Sequence, residues 1–256
     1  MAVEAVSVAQ EKPPTSKSIL ASSFNSLGTA CTALGQYQNA YNAISKGTDL
    51  FYELKQEKSD EFKLENLANS LNNLGRTLTS LKQYERAVKE LLEVVRFYRI
   101  LTDDKPNEFK PYLAFSLTSL GIAYAKWGQL ENIPASTLEN ALTSTLEAVQ
   151  ITRDLYIAAS AAFAIRYAER LNSLSDRYRE LRQFQPAHQN AQMAIKVLCT
   201  PFLKSPQALS GLMHRLVLDY CEICDVLKLE PDLEFLNPIL SILKSFLQQN
   251  TQSPNL

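Results

Sequence analysis

Residues 70–87 read SLNNLGRTLTSLKQYERA, and this stretch decides the fold. Leu71, Leu74, Leu78 and Leu81 recur at intervals of 3, 4 and 3, the rhythm of one apolar face of an α-helix rather than of a strand. The run stops at Lys82-Gln83-Tyr84, a connection so short that the next helix has to return antiparallel beside the first. Ala87 opens the small face of that second helix, twelve residues after Gly75.

The same text recurs along the chain. SFNSLGTACTALGQYQNA occupies 23–40, SLTSLGIAYAKWGQL begins at Ser116, and RLNSLSDRYRELRQFQPA runs from Arg170 to Ala187. The equivalent small residues are Gly28, Gly75, Gly121 and Ser175, spaced by 47, 46 and 54. An eight-residue insertion within Glu131–Ala141 accounts for the longer interval, because Ala141 and Ala148 then regain the seven-residue spacing of Ala187 and Ala194. A helix-interior glycine costs about 1 kcal/mol against alanine, so its recurrence argues for a close helix crossing. The short turns Gly35-Gln36-Tyr37, Gly128-Gln129-Leu130 and Arg182-Gln183-Phe184 repeat the design, their third residue apolar and able to tuck between the paired helices.

Composition agrees with a helical reading and limits the function. Glycine is scarce at seven residues, and helix formers dominate. With 26 basic and 27 acidic residues the net charge is -1, which supplies no global field for nucleic acid or an anionic membrane. No window of about 18 apolar residues reads as a membrane span, and MAVEAVSVAQEKPPTSKS lacks the basic and apolar regions of a secretory signal. A soluble, cytoplasmic protein is the expectation. Cys31, Cys199, Cys221 and Cys224 sit among apolar helical residues and read as reduced thiols. Cys221 and Cys224 form a C-x-x-C without a second pair, and His188 and His214 complete no zinc spacing, so neither metal nor cofactor is expected. No G-x-S-x-G, phosphate loop, G-x-G-x-x-G or H-E-x-x-H is present, which disfavours an enzyme.

The positions Phe24, Leu27-Gly28, Cys31, Ala40, Ile44 and Gly47, then Leu71, Leu74-Gly75, Leu78, Ala87 and Leu91, then Leu117, Leu120-Gly121 and Tyr124 resemble the tetratricopeptide repeat signature. The spacing exceeds the usual repeat of about 34 residues and is similar to the long repeats of the kinesin-light-chain and fungal signalling type. The resemblance covers about residues 20–200. It implies an all-α fold, a right-handed α-solenoid of antiparallel helix pairs with C-terminal capping helices.

The chain is therefore read as an arm over 1–17, four repeats over about 20–62, 66–108, 112–158 and 162–200, a capping pair within 201–250 with helices near 207–229 and 233–249, and a tail over 251–256. Lys55–Glu65 and Asp103–Pro111 read as loops between units, with Phe62, Phe109 and Phe163 plugging the boundaries.

If, as the resemblance implies, the first helix of each pair lines the concave side, the register places Asn25, Asn72, Arg76, Thr79, Thr118, Asn172 and Arg179 in a groove. Asparagine occupies one offset in three of four units, and an amide can hold the backbone of an extended peptide whatever its side chains. In similar proteins this asparagine clamps a peptide. The alternative is that it bonds to neighbouring helices. The carboxylate clamp of chaperone-tail readers is not expected, because the matching offsets carry Thr29, Arg76, Ile122 and Asp176. Arg76, Lys126 and Arg179 give a mildly basic groove, countered by Glu169, Asp176 and Glu180 at the fourth unit.

The function expected is a scaffold or adaptor that binds a protein segment, peptide or helix, in this groove, without nucleic acid or membrane. Two alternatives stay open. One is a self-associating regulatory module, a homo-oligomer or a chain whose own arm fills the groove. The other is a ligand sensor or enzyme with a small-molecule pocket near 131–141.

Overall fold

The structure, a computed structural model, describes residues 16–130 and 133–251, with side chains through Ser245. The arm expected over 1–17 lies outside the described residues except for Ser16 and Lys17; the same holds for the tail beyond Thr251 and for Glu131 and Asn132 of the insertion.

Among the described residues there are ten α-helices and no strand: α1 Lys17–Ala33, α2 Tyr37–Gln56, α3 Leu64–Ser80, α4 Tyr84–Asp104, α5 Pro106–Gly128, α6 Ser136–Ala158, α7 Ser160–Glu180, α8 Phe184–Lys204, α9 Pro206–Leu227 and α10 Leu233–Thr251. Consecutive helices pair antiparallel, the all-α, solenoid-type arrangement that the repeats predict. The chain divides into two compact units, one through Ser144 and one from Thr145, with the division inside α6.

Three of the pairs close by the same backbone device. Gly35, Lys82 and Arg182 adopt φ of 72°, 61° and 57°, and the next residue, always glutamine, returns its N–H to the carbonyl five residues back: Gln36 to Cys31 at 2.9 Å, Gln83 to Leu78 at 2.9 Å and Gln183 to Tyr178 at 2.8 Å. This 6→1 closure satisfies a carbonyl at the end of the first helix and reverses the chain. The apolar third residue tucks in only where its neighbours leave room: Tyr84 and Phe184 are half-buried, whereas Tyr37 is exposed. The third turn departs from the pattern. Gly128 stays inside α5, where a Cβ would meet Leu138 Cδ2 at 2.7 Å, and Leu130 remains exposed.

In the first unit Ser16 caps α1, its Oγ accepting from Ile19 N–H at 3.3 Å while donating to Glu61 at 2.8 Å. Lys17 then reaches Glu57 at 2.6 Å and Glu53 at 3.3 Å, so both residues assigned to the arm belong to the folded start of the array. The core follows the apolar rhythm: Leu71, Leu78, Leu91 and Leu117 are buried, and Gly28 and Gly75 sit directly against Ile44 and Leu91. Asp103–Pro111 is not a loop. Lys105 alone separates α4 from α5, because Pro106 at the first helical position loses an N–H that has no helical partner there. Phe109 is buried and faces Tyr98, which also stacks on Tyr112 at 5.7 Å and donates to Asn69 Oδ1 at 2.7 Å. Phe62 and Phe163 are only half-buried.

In the second unit Ser175 replaces the glycine, and its Oγ donates to the carbonyl of Ala187 at 2.8 Å. Tyr156 stacks on Tyr167 at 5.1 Å. Helix α10 covers the end of this unit through buried Leu236, Ile239 and Leu243, with Phe235 edge-on to Tyr220.

Candidate peptide-binding face

In the first unit α1 packs on α3 and α3 on α5, whereas α2 and α4 are linked through long side chains. Arg86 donates to the Tyr41 hydroxyl at 3.1 Å, Tyr52 to Glu93 at 3.2 Å, and Lys55 Nζ lies 5.3 Å from the centre of the Phe97 ring. The first helices thus approach more closely than the second ones, which makes their layer the inner side of this unit. Asn25, Asn72, Arg76, Thr79 and Thr118 lie on it.

These residues do different things. Asn25 is half-buried and its Oδ1 accepts from Asn73 Nδ2 at 3.2 Å, tying α1 to α3. Asn72 is 4% exposed and its Oδ1 is buried with no hydrogen-bond partner. An unpaired buried acceptor costs about 1–3 kcal/mol, so this oxygen is poised to gain from a donor. Thr79 and Thr118 turn their hydroxyls back to the carbonyls of Gly75 and Ala114, at 2.9 and 2.8 Å, and offer only their methyls outward. Arg76 is exposed, has no carboxylate partner among the described residues, and lies 5.3 Å over the Phe115 ring. Phe115 and Ile122 are themselves 41% and 40% exposed on the same face. Sequence reasoning placed Ile122 at a groove offset without naming it a binding residue, and missed Phe115. The usable signal was register: Ile122 stands at the offset of Arg76, and Phe115 at that of Asn69.

The second unit holds Asn172 and Arg179. Asn172 is 8% exposed, donates through Nδ2 to Asp219 Oδ2 on α9 at 2.9 Å, and leaves its own Oδ1 buried and unpartnered. Arg179 is engaged inside the protein: Nη2 donates to Glu222 at 2.8 Å, and Nη1 stands 3.8 Å from Asp176 and 4.0 Å from Asp219. Burial, reinforced by Asp219, pushes the Asp176 carboxyl up to about 6 against the pull of Arg177 and Arg179. The asparagines therefore brace neighbouring first helices at two positions, and at two they retain an unused acceptor.

Cys224 is buried and Cys221 half-buried, and burial pushes both thiols up, away from the thiolate. No group of three metal-ligating side chains occurs among the described residues. A cavity of about 280 Å³ lies in the second unit, with Tyr156, Ser160, Thr200 and Lys204 on its wall and no residue of the insertion among its lining. Among the described residues no helix is long and apolar enough to cross a membrane.

Comparison with known proteins identifies the repeat. The tetratricopeptide repeat family model matches residues 67–104, which fall within α3 and α4. Among solved structures, the kinesin light chain nearly identical TPR-like repeats of Podosopora anserina superpose with a TM-score of 0.62 at 15% identity, covering 93% of this chain and 99% of that one. BtubC (BKLC) from P. vanneervenii gives 0.62 at 18% identity, over 78% of this chain and 71% of that one. The apo form of RapI gives 0.59 at 14% identity, over 98% and 88%. At such identities the likeness is one of fold. No curated protein matches the chain.

Proposed function

We propose that this tetratricopeptide-type array is a protein-interaction scaffold that receives an extended peptide or a partner helix along its first helices. Asn25, Asn72, Arg76, Thr79 and Thr118 mark the binding face in the first unit, and Asn172 and Arg179 mark it in the second. The observation that carries the reading is the arrangement around Asn72: a buried amide oxygen without a donor, flanked by an unpaired guanidinium and by exposed Phe115. A protein segment supplies what each lacks, namely a backbone N–H, an anionic or polar group, and an apolar side chain. No catalytic group or cofactor enters this function. The four free cysteines fit a reducing compartment such as the cytoplasm.

The test is partner capture from the native extract by the full chain and by an Asn72→Ala, Arg76→Ala double variant of unchanged helicity. Loss of the captured proteins is the expected result. Undiminished capture would place the binding surface elsewhere.

A further inference from the structure

The second unit carries a charge arrangement that its own residues leave incomplete. Asp176 on α7 and Asp219 on α9 lie 3.8 and 4.0 Å from the same Nη1 of Arg179, beyond direct hydrogen bonding, while that guanidinium donates at 2.8 Å to Glu222 instead. Asp176, Asp219 and Glu222 thus gather around Arg179, while Arg177, which also acts on Asp176, is paired with Glu180 at 3.1 Å. Asp219 is steadied by the Asn172 amide at 2.9 Å, and Asp176 accepts no hydrogen bond from the described residues. The independent sign of a missing group is Asn172 itself, more than nine-tenths buried, with its Oδ1 unpartnered beside the carboxylate that its Nδ2 holds. The cluster therefore holds more carboxylates than cations and keeps an unused acceptor at its edge.

We propose that Asp176 and Asp219, together with the amide oxygen of Asn172, form a seat for one cationic side chain, a lysine ammonium or arginine guanidinium, presented by the protein segment that the array binds. The seat rests on the scaffold reading above and specifies the chemistry of the partner at this unit. An incoming ammonium carries three donors, one for each of the two carboxylates and one for the amide. Arg179 fills this role only in part, since Nη2 is drawn to Glu222 and Nη1 stays 3.8 and 4.0 Å from the two aspartates. Burial raises the Asp176 carboxyl, with Asp219 adding to it against Arg177 and Arg179, so a cation seated here would pull it back down.

The experiment uses the full chain and two fluorescein-labelled nonapeptides, one alternating serine with lysine and one alternating serine with glutamate, followed by anisotropy at neutral pH and low salt. The lysine peptide is expected to bind and the glutamate peptide not to. Asp176→Asn and Asp219→Asn should each weaken the lysine peptide about fivefold, while Asp154→Asn, on an exposed stretch of α6, changes nothing. Arg179→Gln removes the competing cation and should tighten binding a few-fold, a gain that a poorly folded variant cannot produce. Equal binding of the two peptides, no effect of Asp176→Asn and Asp219→Asn, or weakening by Arg179→Gln overturns the seat. If those failures occur while partner capture still requires Asn72 and Arg76, the seat alone is wrong; if capture ignores Asn72 and Arg76, the scaffold reading fails independently.

Discussion

Replacing Gly75 by alanine tests whether the repeated glycine serves helix contact. A Cβ at this position would lie 2.6 Å from Leu91 Cγ and 2.9 Å from its Cδ2. Leu91 is fully buried, so it has no empty rotamer to retreat into. Overpacking of this kind costs about 1–3 kcal/mol, while alanine returns about 1 kcal/mol of helix propensity. The expected net loss is about 1–2 kcal/mol. The structure supplies its own control sixteen residues downstream in each pair. Ile44 faces Gly28 and Leu91 faces Gly75, but at the same spacing from Ser175 the chain carries Ala191, fully buried, and there the larger residue at the crossing is tolerated. In a Leu91→Ala background, itself destabilised by about 2–5 kcal/mol, Gly75→Ala should become neutral or stabilising. Urea unfolding of the four proteins, followed by far-ultraviolet circular dichroism, gives a coupling energy of about 2 kcal/mol on this reasoning. A Gly75→Ala effect that is identical in both backgrounds would refute it. The mirror experiment, Ala191→Leu with and without Ser175→Gly, should show the same coupling.

Gly47→Ala should cost more than Gly75→Ala, about 3 kcal/mol, because its Cβ would stand 2.7 Å from the backbone carbonyl of Ala21, which cannot repack as a leucine tip can; a smaller loss in the same urea assay contradicts the close approach of α2 to α1. Lys82→Gly and Arg182→Gly should each stabilise by about 0.5–1 kcal/mol by relieving left-handed backbone at φ 61° and 57°, and Gly35→Ala should do the opposite, all read from unfolding midpoints. Asp176 keeps its proton up to about 6 in the folded protein against an ordinary 3.8, so between those values the native state binds more protons than the unfolded one and stability falls as pH rises. Asp176→Asn should therefore raise the melting temperature at pH 7 and leave it unchanged below pH 4. The carboxylate is 39% exposed, which screens the effect, and a variant that melts alike or lower at pH 7 removes the buried-charge argument.

The helix pairs were legible because their cause is local. The 3, 4, 3 apolar rhythm, the small residue at the crossing and the glutamine after the turn each act within a few residues of chain, and each is where the pattern places it. Ser175, an irregularity in the sequence, becomes regular once Ala191 is seen opposite, a relation between two helices. Asp103–Pro111 misled as a loop because its prolines read as breaks, whereas Pro106 opens α5 and Pro111 lies within it.

The binding face was legible only in part, because it depends on the phase between helices. Register put asparagine at one offset of the first helices, yet it could not show that Asn73, one residue off that offset, and Asp219, 47 residues after Asn172, would reach back to Asn25 and Asn172. Bracing and clamping are thus not rival uses of the asparagine. A side-chain amide has both donors and acceptors, and Asn172 spends a donor on α9 while its acceptor stays unused. What differs between the units is the residue four positions on. Arg76 is unpaired and lies over an aromatic ring, whereas Asp176 faces a second carboxylate. An amide addresses a peptide backbone that every partner has, while the charge beside it accepts one side chain and repels another. On the proposed function, partner choice would then lie with this offset and not with the fold, which the chain shares with solved structures at 14–18% identity.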